Sequence, residues 1–160
     1  MKKIMLLFVA LITTAVYSQD KRSNEYRELI DSAISVIAEH RYKQLSENIS
    51  KESIIIYVMD EDGKQINLDN VKSKFTLRTI DIYDKKNRKL LKDGLKISQV
   101  SPVLNGNLIT VMIINFMVNY KGKRYYFVNG GGSTVFFQYS CEEEKWILTK
   151  VKHNSIWKKG

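Results

Sequence analysis

Between residues 24 and 49 apolar side chains return every three or four positions: Tyr26, Leu29, Ile30, Ala33, Ile34 and Ile37, then the stem of Arg41 and Leu45. That period lays one apolar stripe on a helix, so it predicts a single amphipathic helix over 24–49. Ser23 or Asn24 offers an N-cap oxygen, Glu25 and Glu28 suit the positive end of the helix dipole, and no proline interrupts the run.

After Ser53 the period falls to two. Ser53–Met59 is β-branched and apolar, and Asp60-Glu61-Asp62-Gly63 closes it with a hairpin turn. Phe75–Tyr83 alternates, setting Phe75, Leu77, Thr79, Asp81 and Tyr83 against Thr76, Arg78, Ile80 and Ile82. Leu95–Val103 is a further strand, where Pro102 suits an edge or a bulge, and Asn105-Gly106 supplies a turn. Leu108–Tyr120 is the longest strand, and both of its faces are apolar. One carries Leu108, Met112, Ile114, Phe116 and Val118; the other carries Ile109, Val111, Ile113 and Met117, interrupted by Asn115 and Asn119. Such a strand is central, covered by the helix on one side and partly closed by curling on the other. Lys121-Gly122-Lys123 turns the chain into 124–128, and Asn129-Gly130-Gly131-Gly132 breaks or bulges it. Ser133–Cys141 resumes, and Lys145–Ile156 ends the meander. One helix covers one face of one sheet, which predicts an α+β domain: an N-terminal amphipathic helix packed on a curved antiparallel β-sheet.

The 160 residues fit one domain. Residues 1–18 have the parts of a secretory signal: Lys2 and Lys3, an uncharged apolar run over 4–16, and Val16-Tyr17-Ser18 before Gln19. The run is shorter than the roughly 20 residues of a spanning helix. This predicts an exported protein, periplasmic or secreted, whose mature domain is 19–160; a retained N-terminal anchor is the competing reading. The lone Cys141 excludes an internal disulfide framework and thiolate-rich metal sites, and its apolar strand predicts a buried, inert thiol.

The order of helix first and meander after, closing on Trp146-x-Leu148, resembles the cystatin-like and nuclear transport factor 2-like superfamily of cone-like domains. The resemblance covers roughly residues 24–157 and rests on element order. It implies a helix cradled by a bent sheet. It leaves function open, because that superfamily includes enzymes, ligand carriers and interaction modules.

Few motifs carry chemistry. Asn129–Thr134 is followed by strand rather than helix and lacks the phosphate-binding lysine, so it reads as a bulge. From Asp60 a calcium loop would need glycine sixth and an acid twelfth, where Gln65 and Val71 stand. His40 and His153 are the only histidines, on distant elements, with no nucleophile at a recognisable spacing. A cone-fold enzyme using general acid–base chemistry on an apolar small molecule would need Asp81 or His153 in a pocket beside Tyr57, Tyr83 or Tyr126. No cofactor or metal is expected.

Charge is the most informative feature. Residues 85–124 hold nine Lys and Arg against one acid, whereas the rest of the mature chain is nearly balanced. Lys85, Lys86, Arg88, Lys89 and Lys92 form one basic segment, and Lys121, Lys123 and Arg124 share a hairpin tip. These eight residues are candidates for binding an acidic partner, whether protein, glycan or lipid headgroup. The ordinary alternative is a set of lysines that keep loops soluble and sheet edges unpaired. Nucleic acid is disfavoured by export and by the lack of basic–aromatic interleaving. The sequence thus predicts a non-enzymatic binding domain, with the cone-fold enzyme as the alternative and a homodimer left open.

Overall fold

The structure, a computed structural model, describes residues 2–44 and 54–154, with the side chains of the first helix described from Ser23 onward. It is an α+β fold in which one helix packs on a strongly curled, six-stranded mixed sheet, a half-barrel. The helix, α1, spans Lys2–Gln44. Ser23 and Asn24 therefore lie inside it rather than capping it: in the full chain the apolar run upstream is itself helical, so the helix has no reason to begin at 23. The expected last turn, to Ile49, lies outside the described residues. Among those residues no helix is long and apolar enough to cross a membrane.

The strands are β1 (Ile55–Met59), β2 (Thr76–Thr79), β3 (Leu95–Asn105), β4 (Leu108–Lys121), β5 (Arg124–Ser140) and β6 (Lys145–Asn154), in the order β2-β1-β3-β4-β5-β6. The sheet is mixed, not wholly antiparallel: β1 runs parallel to both β2 and β3, and only β3 to β6 form the expected meander. Consequently Asp60–Gly63 does not close a hairpin. It opens the long connection that a parallel pairing requires. Asp60 Oδ1 accepts from the N–H groups of Asp62 at 3.0 Å and Lys64 at 2.7 Å, and Gly63 turns with φ +76. The connection then lies along α1, where Ile66, Leu68 and Val71 join the core.

Strand alternation divides the core between the two faces of the sheet. On the first face Ile30, Ala33, Ile34 and Ile37 of α1 meet Val58, Val100, Ile109, Val111, Ile113, Val135 and Phe137. The sequence expectation of which α1 residues face inward holds from Tyr26 to Ile37. On the second face, toward the other end of β3 and β4, Met59, Ile97 and Val118 meet Ile80, Ile82 and Leu91. The second apolar face of β4 is thus closed by a chain segment as well as by curling. The alternating stretch Phe75–Tyr83 is strand only over Thr76–Thr79; beyond it Ile80 and Ile82 bury while Asp81 turns the chain. Each fully buried residue of this kind contributes about 1.5–3 kcal/mol.

The glycine run is a bulge, as expected. Ile114 pairs with Gly132 and Phe116 with Asn129, so β5 carries one extra residue there. Gly131 adopts φ +87, and a Cβ on Gly132 would lie 2.6 Å from the Ile113 carbonyl oxygen. Pro102 stands beyond Gln99, the last residue of β3 that pairs with β1, on a stretch with only β4 beside it. Cys141 is exposed, against expectation. It is in phase with the buried positions Ser133, Val135 and Phe137, but the strand ends one residue earlier, at Ser140.

Candidate functional site

The two basic segments, about thirty residues apart in sequence, meet at one end of the sheet. Asp81 and Asp84 shape the first. Asp81 Oδ1 accepts from the N–H groups of Tyr83 at 2.8 Å and Asp84 at 3.2 Å, and Asp84 Oδ1 accepts from Lys86 N–H at 2.9 Å. This caps the 3-10 turn Lys85–Asn87, which leads into the one-turn helix α2 (Arg88–Leu91). Leu91 buries completely and anchors the segment, while Lys85, Lys86, Lys89 and Lys92 remain exposed. Arg88 lies over the Tyr120 ring, 5.0 Å from its centroid. That distance suits a cation–π contact and places the segment against the end of β4.

The second basic group sits on the β4–β5 hairpin. Lys121 pairs with Arg124, leaving Gly122 and Lys123 as the loop, with φ of +56 and +65. Two positive φ values are the signature of a type I′ turn, whose twist matches that of the strands. Lys121, Lys123 and Arg124 are all exposed. Tyr125 then stacks obliquely on Tyr120 at 4.8 Å and meets Tyr83 edge-on at 5.2 Å. Three tyrosine rings therefore join the two basic segments into one surface. None of its eight cations forms an ion pair with an acid of the described residues. The sequence reading missed this interleaving of aromatic and basic groups, because the rings and the cations come from two segments about thirty residues apart.

A second feature lies on the helix-covered face. Arg41 follows Ile37 by one turn and stands where the apolar contacts of α1 give out. It donates from Nη1 to Ser98 Oγ at 3.1 Å and from Nη2 to Asn115 Oδ1 at 2.5 Å, and Ser98 Oγ donates to the same Oδ1 at 3.0 Å. Among the described residues no carboxylate pairs with it. Desolvation by burial pulls the guanidinium below its ordinary pKa, although it stays charged at neutral pH. Arg41 forms one wall of a half-open cleft of about 590 Å³. Asn115 and Asn119, which break the apolar run of β4, are the sequence signal for this change of surface.

His40 and His153, which the sequence does not bring together, stack with ring centroids 3.6 Å apart. The His153 Nδ1 lies 2.9 Å from Ser133 Oγ. Burial lowers the pKa of His153, and the charges of His40 and Arg41 lower it further. Ser133 is only 8% exposed, and no carboxylate among the described residues holds His153. The pair therefore lacks both access and the orienting group that a nucleophilic triad uses. Asp81 is engaged in turn hydrogen bonds rather than facing a tyrosine hydroxyl. Tyr57 packs against the second core cluster, and Tyr126 is exposed. Among the described residues no group of three His, Cys, Asp or Glu side chains is placed to hold a metal. No protein-family model, curated protein or solved structure matches the chain.

Proposed function

We propose that this protein is an exported, non-enzymatic binding domain that docks to an acidic partner through its basic, tyrosine-backed end. The observation that supports this most directly is the seating of Arg88 on Tyr120. It draws Lys85, Lys86, Lys89 and Lys92 alongside Lys121, Lys123 and Arg124. Like charges gathered with no ion-paired acid among the described residues raise the local potential and attract acidic groups. Rings between the cations add flat apolar contact area, which suits a glycan or the headgroup region of a lipid as well as an acidic protein. Export follows from the leader pattern over 1–18, and the cone-like form implied by the superfamily resemblance belongs to the same reading.

Retention on an anionic matrix between low and moderate salt tests the proposal. Wild-type protein should elute late at low salt and lose retention steeply as the Debye length shrinks from about 30 Å to about 8 Å. Replacing Lys85, Lys86 and Lys89 by Gln should weaken retention, and replacing Lys121 and Lys123 by Gln should weaken it as well, because both sets serve one surface. Co-elution of either variant with the wild type would refute the shared site.

A further inference from the structure

We propose that the cleft at the end of α1 binds the carboxylate of an acyl-chain acid, with Arg41 holding the head group and the apolar floor of the sheet holding the chain. The cleft is about 590 Å³, within the range of small-molecule sites. Its Arg41 end, with Ser98, Asn115 and Met117, lies on the opposite face of β4 from the Arg88–Tyr120 contact, since Asn115 and Met117 alternate with Phe116, Val118 and Tyr120; Phe116 also borders the cleft. The proposal is therefore separate from the docking surface.

Two features set the ligand class. The first is charge. Among the described residues Arg41 meets the neutral oxygens of Ser98 and Asn115, which use two of its five N–H donors. A guanidinium withdrawn from water without a counter-ion is costly, and a carboxylate matches its planar fork. Lys96 lines the same cleft, and among the described residues no acidic side chain does. The stacked His40 and His153 stand on one side of Arg41, close enough for its charge to add to the depression of His153 that burial causes.

The second feature is the floor. Register places Lys96, Met117 and Val128 side by side on β3, β4 and β5. Ile55 and Ile56 form a wall. Val128 is 61% exposed, a large apolar side chain with nothing over it among the described residues. Gly130 is also in the lining. A half-buried cation at one end and aliphatic groups uncovered by the described residues at the other match an amphiphile with one negative charge.

Calorimetric titration with dodecanoate, below the concentration at which it aggregates, tests this. Saturable one-to-one binding is expected. Arg41→Gln should weaken it about tenfold or more, the loss of a charge-assisted contact. Dodecanol should bind wild type and Arg41→Gln alike, and acetate should bind neither measurably. Arg41 also ties α1 to the sheet, so a second variant covers misfolding: Val128→Asp removes apolar floor at an exposed position and should weaken dodecanoate about tenfold with unchanged circular dichroism. The triple Gln variant at Lys85, Lys86 and Lys89 should bind dodecanoate as wild type does. Absence of saturable binding would overturn the proposal, as would wild-type affinity in Val128→Asp or equal weakening in the triple variant.

Discussion

Lys123 holds φ +65 at the tip of the β4–β5 hairpin, a backbone region that costs an L-residue about 1–2 kcal/mol. Glycine would relieve that strain, though it loses roughly 0.5–1 kcal/mol more entropy on folding. Lys123→Gly should therefore stabilise the protein by about 0.5 kcal/mol in urea denaturation. The same change should shorten retention on an anionic matrix; a variant that gains stability and keeps full retention would show that the cation has no part in docking. Asp31 presents the reverse situation. It is 4% exposed, neither of its carboxylate oxygens makes a well-formed hydrogen bond among the described residues, and Arg27 stands 3.8 Å away. Desolvation raises its pKa, opposed by the Arg27 charge and the Asn70 side chain. A raised acid pKa means that the folded state holds the proton more tightly than the unfolded state does. Its contribution to stability is thus greatest in acid and is lost as pH rises through the unfolded value of about 4 and then the higher folded one. Asp31→Asn should be more stable than wild type by about 1 kcal/mol at pH 7. The gap should close toward pH 3, and a gap constant with pH would contradict this cause.

The elements differ in how far the sequence determines them. The α1 stripe from Tyr26 to Ile37 was legible because burial on one side imposes a helical period on the residues themselves. Arg41 sits on the same stripe, which accounts for its stem but not its head; the partners of the head, Ser98 and Asn115, lie 57 and 74 residues away. The bulge at Gly130–Gly132 was legible from its glycines, and its geometry makes a direct prediction. Gly132→Ala would press a methyl group onto the Ile113 carbonyl and should cost about 2 kcal/mol or more, read as a lowered urea midpoint. An unchanged midpoint would mean that the sheet does not need this bend. The parallel pairing of β1 was not legible. A five-residue apolar strand has the same alternation in either direction, and the Asp60–Gly63 turn serves a crossover as well as a hairpin.

For the whole molecule, a mixed sheet is covered on opposite faces at its two ends, by α1 at one and by the segment from Ile80 to Leu91 at the other. This arrangement explains why β4 is apolar on both sides, and it assigns the two candidate surfaces to different faces. The basic composition of 85–124 was plain in the sequence. That its two halves converge was not, since the convergence depends on Arg88, Tyr120, Tyr125 and Tyr83 meeting in space. The direct test is amide chemical-shift mapping at low salt during titration with a sulfated oligosaccharide. Shifts should appear together, with one saturation curve, in 85–92 and 121–125, leaving Ser98 and Asn115 unmoved. Shifts in only one segment, or spread evenly over all exposed lysines, would contradict a single docking surface.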